Sequence, residues 1–323
     1  MRVLITGSAG FIGFHLARHL LERGEEIFGI DNFNDYYSVK LKRERHALLE
    51  GYENYRWHEC DLADMLSLQS ALKDFKPECV VNLAAQVGVR YSNVNPHIYA
   101  ETNVLGFLNL LECCRDVKPQ PRLIYASSSS VYGGNQELPF CEQQVVDTPI
   151  SLYAATKKTN ELMAHCYNHL YGIQCIGLRF FTVYGPWGRP DMAVWLFAEA
   201  IRNGEPLKVF NRGEMLRDFV YIDDIVAGVA NCIYADNLPG CDIFNIGSHR
   251  SERLLDVIEL IAAELGVKSP RLELLPMQDG DLPATYASIE KLHQAVGFRP
   301  STSVSEGIPK FIKWFQEWEV RKC

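Results

Sequence analysis

No stretch of the sequence reaches the ~20 consecutive apolar residues that a helix needs to cross a bilayer, so no membrane span is expected. No C-x-x-C spacing occurs, and of ten cysteines only Cys113 and Cys114 adjoin. That argues against a zinc ribbon or a disulfide framework and for reduced, mostly buried thiols. Metal signatures are equally thin. His15/His19 and His165/His169 have i, i+4 spacing, but neither pair has an H-E-x-x-H glutamate or an evident third ligand, so no metal is expected. There is no surplus of cations either: 32 Lys and Arg stand against 40 Asp and Glu, a net charge of −8, whereas a nucleic-acid backbone calls for clustered positive charge. The one basic cluster, Lys40, Lys42, Arg43 and Arg45, is interrupted by Glu44 and reads as a solvated helix face. The N-terminus enters an apolar strand at once, without the regions of a signal peptide. The expectation is a soluble cytoplasmic protein with neither nucleic acid nor membrane as partner.

The strongest signal present is the opening segment. Val3-Leu4-Ile5-Thr6 reads as a strand, Gly7, Gly10 and Gly13 punctuate the turn after it, and Phe11-Ile12 open an amphipathic helix continued by Leu16, Leu20 and Leu21. Gly7 permits the tight turn, Gly10 lets backbone approach a phosphate, and Gly13 lets the helix lie close on the strand. The unpaired N–H groups of the helix then face an anion. A second strand, Glu25 to Asp31, ends in an acid 18 residues past Gly13. A carboxylate there accepts hydrogen bonds from both ribose hydroxyls of adenosine and repels a 2′-phosphate, which favours NAD over NADP.

Apolar runs recur at Cys79 to Ala84, Arg122 to Ala126 and Ile173 to Arg179, alternating with helical patterns at Asp64 to Phe75, Pro96 to Cys114 and Ser151 to Tyr171. Continuous hydrophobicity suits parallel strands buried on both faces, so the fold class is α/β, a doubly wound parallel sheet of Rossmann type. Past Arg179 the elements shorten and Pro and Gly punctuate them. This suggests a dinucleotide-binding domain over 1–180, to which the chain returns at about 218–247, and a smaller α/β lobe over 181–323. The last helix, Val304 to Trp318, carries Ile308, Phe311, Ile312 and Phe315 as a core stripe.

Ser151 to Lys157 puts a phenol, Tyr153, and an ammonium, Lys157, four residues apart on one helix. A nearby cation favours phenolate, so Tyr153 can take a hydroxyl proton as hydride leaves for NAD. On its own such a pair is more common on an exposed helix face; the rest of the chain reverses that reading. Upstream, Ser127 to Ser130 follow an apolar strand, and alternation sends Ser128 and Ser130 to one side; Ser127 and Ser129 read as turn residues satisfying backbone groups.

Taken together, Gly7/Gly10/Gly13, Asp31, Asp61-Leu62, Asn82-Leu83-Ala84-Ala85, the serine cluster and Tyr153/Lys157 resemble the extended short-chain dehydrogenase/reductases, specifically the NAD-dependent nucleotide-sugar epimerases and dehydratases. The likeness spans nearly the whole chain. It implies NAD held by the glycine turn, Asp31 and Asn32, with Asp61 and Leu62 flanking the adenine. Leu83, Ala84, Ala85 and Gln86 then line the pyrophosphate and nicotinamide ribose, and Asn103 supports the catalytic helix. Ser128 matches the family's catalytic hydroxyl, with Ser130 as the alternate. A homodimer through the helices of 96–114 and 151–171 is implied as well.

Within the family the segments Asp31 to Tyr37, Gln86 to Ser92, Ser151 to His165 and Arg179 to Met192 resemble the members that epimerise UDP-glucuronate to UDP-galacturonate at carbon 4. A uronate carboxylate suits a planar guanidinium, which makes Arg189, with Thr182, the candidate for it and Arg217 the candidate for the diphosphate. Surface ion pairs are the alternative for both arginines. Arg90, Val209, Phe210 and Asp281 are the remaining candidate substrate contacts. Dehydratases of the family carry an acidic pair where this chain has Ser129 and Ser130, so dehydration is disfavoured. A UDP-glucuronate decarboxylase, a UDP-glucose 4-epimerase and a non-catalytic NAD sensor stay open. Ser38-Val39, Asp279 and His249 to Arg253 depart from the family's usual segments.

Overall fold

The computed structural model describes residues 1–277 and 282–322. Seven parallel strands form the central sheet: β1 Arg2–Thr6, β2 Glu26–Asp31, β3 Tyr55–Glu59, β4 Cys79–Asn82, β5 Arg122–Ser128, β6 Cys175–Phe180 and β7 Cys241–Ile246, in the spatial order β7-β6-β5-β4-β1-β2-β3. Five helices accompany the first six strands: α1 Phe11–Glu22, α2 Val39–Glu50, α3 Met65–Phe75, α4 Gly106–Asp116 and α5 Leu152–Tyr171. Strand order reverses between β1 and β4, and a doubly wound sheet opens its ligand crevice at that point, beyond the carboxyl ends of the strands.

The continuous apolar runs are where they are because both faces of the sheet are covered: β4 and β6 are buried along their whole length. The edge strand β3 has no such signature. Of Tyr-Arg-Trp-His-Glu only Tyr55 is buried, and the sequence reading has no strand there. At the opposite edge, side chains close the outer rungs of β7. The Asn245 N–H donates to Glu142 at 2.7 Å and the Ile243 carbonyl accepts from Lys291 at 3.0 Å.

Beyond β6 come α6 Ala193–Asn203, α7 Ile222–Tyr234, α8 Leu254–Glu264 and α9 Val304–Lys322. Helix α7 lies against α1, and β7 rejoins the sheet beside β6, pairing Cys241 with Cys175. The rest of this half is made of short pieces: Thr182–Tyr184 pairs with Phe219–Tyr221, Leu207–Val209 with Leu272–Leu274, and Leu216–Arg217 with both Glu252–Arg253 and Ala284–Thr285. Aromatic packing ties α6 to α9, with Trp195 5.1 Å from Trp318 and 5.6 Å from Phe315 between ring centroids. The stripe of Ile308, Phe311, Ile312 and Phe315 is buried as expected. No described helix is long and apolar enough to cross a membrane, and the nine described cysteines are all free thiols.

Helix α2 corrects the reading of the basic cluster. Lys42 and Arg45 are buried, because Leu41 and Leu49 set a buried stripe that has Arg45 at its centre, four residues from each. Lys40 and Arg43 face solvent.

Candidate active site

A cleft of about 1140 Å³ runs from the turn after β1, past the ends of β2, β4 and β5, into the second half of the chain. At its start Gly7 has φ +73°, the left-handed region that favours glycine. A Cβ on Gly13 would stand 2.0 Å from the Gly7 carbonyl oxygen, so only glycine lets α1 sit this close to the turn. Gly10 caps α1 with no side-chain hydrogen bond and no acid follows in the first turn. The N–H groups of Phe11, Ile12 and Gly13 therefore meet the cleft with the positive end of the helix behind them.

Asp31 ends β2 on the cleft wall, its carboxylate held by the Ala9 N–H at 3.0 Å and the Phe33 N–H at 2.9 Å. Asn32 donates to Asp61 at 2.6 Å, and Asp61 also accepts from the Ala63 N–H at 2.8 Å. Leu62, Leu83, Ala84, Ala85 and Gln86 complete this stretch of wall. Gln86 is almost wholly buried, and its side-chain nitrogen has no hydrogen-bond partner of good geometry among the described residues. Asn103 stands behind the wall. It accepts from the Gln86 N–H at 2.8 Å and donates to the Gln86 carbonyl and to Thr156 on α5.

The reactive groups come from β5 and α5. Ser151 caps α5 by accepting from the Ala154 N–H at 3.1 Å, which starts the helix where Tyr153 and Lys157 both reach the cleft. Burial brings the Lys157 ammonium down to about 8, and it donates to the Ala126 carbonyl at 2.9 Å. Burial raises the Tyr153 phenol; the Ser128 hydroxyl and then the Arg189 charge oppose that rise. Lys157, expected to be the acidifying neighbour, is 6.0 Å from the centre of the Tyr153 ring. Ser130 donates to the Ser128 oxygen at 2.8 Å. The two serines meet through the tight turn Ser129–Tyr132 that follows β5, not through strand alternation. Ser127 is not a turn residue satisfying backbone: it donates to the buried carboxylate of Glu161 at 2.7 Å, which also takes two bonds from Arg179.

On the far side Thr182, Arg90, Phe210, Arg189 and Arg217 line the cleft. The Arg90 guanidinium lies 5.0 Å from the centre of the Phe210 ring. Arg217 donates to the Leu216 carbonyl at 2.9 Å. Arg189 faces the cleft but is paired with Asp191 through Nε and Nη2, and Tyr36 donates to the same carboxylate at 3.2 Å. Val209 is fully buried in the core and its side chain is not part of the wall, whereas its neighbours Lys208 and Phe210 are. Asp281 and Asp279 lie outside the described residues.

Sequence reasoning missed Tyr36, Tyr37 and Lys42, which line the cleft beside Asn34. Lys42 donates to the Asn34 carbonyl and to its side-chain oxygen, the latter at 2.8 Å, and burial lowers it to about 8. The periodicity of Leu41 and Leu49 was the available signal for α2. His15 is packed, 2.9 Å from the Pro186 carbonyl.

A family model, NAD dependent epimerase/dehydratase, matches residues 3–247. The chain belongs to this family. The NAD-dependent epimerases and dehydratases take their cofactor at such a glycine turn, and here the uncapped start of α1 and the Asp31 carboxylate both fit NAD. Relatives with which this member aligns almost end to end include the probable UDP-glucuronate 4-epimerase of Rhizobium meliloti, 42% identical over 98% of this chain and 97% of that one. UDP-glucuronate 4-epimerase 4 of Arabidopsis thaliana is 44% identical over 97% of this chain and 75% of its own length. Among solved structures, UDP-glucuronic acid 4-epimerase from Bacillus cereus in complex with UDP-glucuronic acid and NAD superposes with a TM-score of 0.93, at 32% identity, covering 98% of this chain and 100% of that one.

Proposed function

We propose that the protein is a UDP-glucuronate 4-epimerase, interconverting UDP-glucuronate and UDP-galacturonate through a transient 4-keto sugar. The observation that carries this is the similarity over nearly the whole of this chain, at 42% and 44% identity, to proteins of that name. The site is in keeping with it. Tyr153 takes the proton from the 4-hydroxyl, and Ser128, whose oxygen already accepts from Ser130, shares that proton. Lys157 holds a positive charge next to the Ala126 carbonyl, on the same helix face as the phenol. NAD would be held by the Gly7, Gly10 and Gly13 turn and Asp31, and would supply a reversible hydride acceptor for carbon 4 and a positive ring that favours phenolate. Tyr153 and Ser128 give the proton back to whichever face of the ketone is presented.

Arg217 and Arg90 supply cations for the UDP diphosphate. Arg189 and Thr182 take the uronate carboxylate. Asp191 occupies Nε and part of Nη2 of Arg189, and the remaining N–H groups of a guanidinium suit a second carboxylate. A cytoplasmic location agrees with the reduced thiols. A homodimer agrees with Leu105, Leu162 and Leu170, large apolar side chains exposed on the two helical stretches expected to pair.

The test is incubation of the purified protein with UDP-glucuronate and separation of the products. UDP-galacturonate is expected, and Tyr153→Phe is expected to lower its rate by at least ~10²-fold. A UDP-pentose as main product makes the chain a decarboxylase, and equal turnover of UDP-glucose removes the uronate preference. If no UDP-sugar is converted, a binding role replaces the enzyme.

A further inference from the structure

One buried group of the basic cluster has no part in the chemistry described so far. Arg45 has no exposed surface. Its guanidinium donates from Nε and Nη2 to the Trp187 carbonyl (3.1 and 2.6 Å), from Nη2 to the Gly188 carbonyl (2.9 Å), and from Nη1 to the Ala9 carbonyl (3.0 Å) and the Tyr37 hydroxyl (2.8 Å). Those five bonds use every N–H a guanidinium has, and all of them end on neutral oxygens. A buried cation is tolerated only when so fully bonded, and a lysine at this place has too few donors.

The bonds join two parts of the site. The Ala9 peptide belongs to the glycine turn: its N–H goes to Asp31 and its carbonyl to Arg45. Trp187 and Gly188 belong to the loop that carries Arg189. With His15 of α1 on the Pro186 carbonyl, three successive carbonyls of that loop are held by side chains of α1 and α2. The loop needs holding, since Trp187 has φ +59° while its ring is anchored 5.3 Å from that of Trp314. Farther along, Tyr36 holds Asp191, which holds Arg189.

We propose that Arg45 is a positioning residue that sets the 186–191 loop against the glycine turn, and so fixes Arg189 where it keeps the carboxylate of a bound uronate out of line with the carbon-4 ketone. The proposal rests on the UDP-glucuronate reading above. The 4-keto uronate is a β-keto acid. When alignment is lost, the bond from carbon 5 to the carboxyl carbon breaks, carbon dioxide leaves, and the electron pair enters an enolate that takes a proton at carbon 5.

Wild type, Arg45→Met, Arg45→Lys and Tyr36→Phe are compared in two ways. One is carbon dioxide released per UDP-galacturonate formed; the other is calorimetric affinity for UDP-glucuronate against UDP alone. In Arg45→Met the carbon dioxide ratio is expected to rise, and UDP-glucuronate affinity to fall, by about tenfold or more, with UDP affinity unchanged. Arg45→Lys recovers part of both. Tyr36→Phe removes the hydroxyl that reaches Asp191 from the segment between β2 and α2, keeps the fold, and moves both readouts in the same direction by a smaller factor, so together with Arg45→Lys it decides the matter if Arg45→Met does not fold. Unchanged readouts in the folded variants, or equal weakening of UDP and UDP-glucuronate, overturn the positioning role. A wild type that forms no UDP-galacturonate overturns the functional reading instead, while the affinity comparison still decides whether the loop sets a carboxylate.

Discussion

His15 sits on α1 with its ring against the Pro186 carbonyl, and burial drives its pKa down to about 3 from an ordinary 6.5. As pH falls below 6.5 the unfolded chain binds a proton here that the folded chain refuses until about pH 3, so folding stability is lost through that window. At pH 5 the loss from this one group is about 2 kcal/mol. His15→Gln is expected to remove it: urea unfolding at pH 7 and pH 5 should show a smaller drop for the variant than for the wild type, and equal drops would refute the assignment. The sequence marks this histidine only by its i, i+4 spacing to His19, which does not tell a buried ring from an exposed one. Tyr153 and Lys157 were legible from spacing, since i, i+4 fixes a shared helix face. Ser128 and Ser130 do share a side, but not by strand alternation, because β5 ends at Ser128 and a tight turn brings the hydroxyls together.

Among the elements, the strands buried on both faces were readable because nothing polar interrupts them, and β3 was not because an edge strand with one buried residue has no pattern to read. Helix α2 was misread for a related reason: its charges dominate the composition, while what turns Arg45 inward is the spacing of two leucines. The β1–α1 turn carries the sharpest prediction at this scale. Gly13→Ala puts a methyl 2.0 Å from the Gly7 oxygen, a contact that only a shift of α1 relieves. The expected outcome is a stability loss of about 1–3 kcal/mol together with weaker NAD binding, measured by denaturation and by cofactor titration. Normal NAD affinity in the variant would mean that the turn tolerates the shift and does not set the anion site.

For the whole molecule, the proposed homodimer buries the apolar side chains on the outer faces of 96–114 and 151–171. Leu162 and Leu170 are 59% and 60% exposed in the single chain. Replacing both with glutamate is expected to give a monomer by sedimentation while the Ser128–Tyr153 pair stays in place; an unchanged mass would move the interface elsewhere.

The two rims of the central sheet bear on the same question. One rim is a strand of mostly exposed polar residues whose Glu59 meets Arg43 at 2.8 Å, and on the other a carboxylate and an ammonium already occupy rungs that an added strand would need. A neighbouring copy therefore meets charged side chains at one rim and filled rungs at the other, and strand-by-strand stacking into fibres is discouraged. The proposed dimer, made by side-on helix contact, would close after two copies instead of propagating.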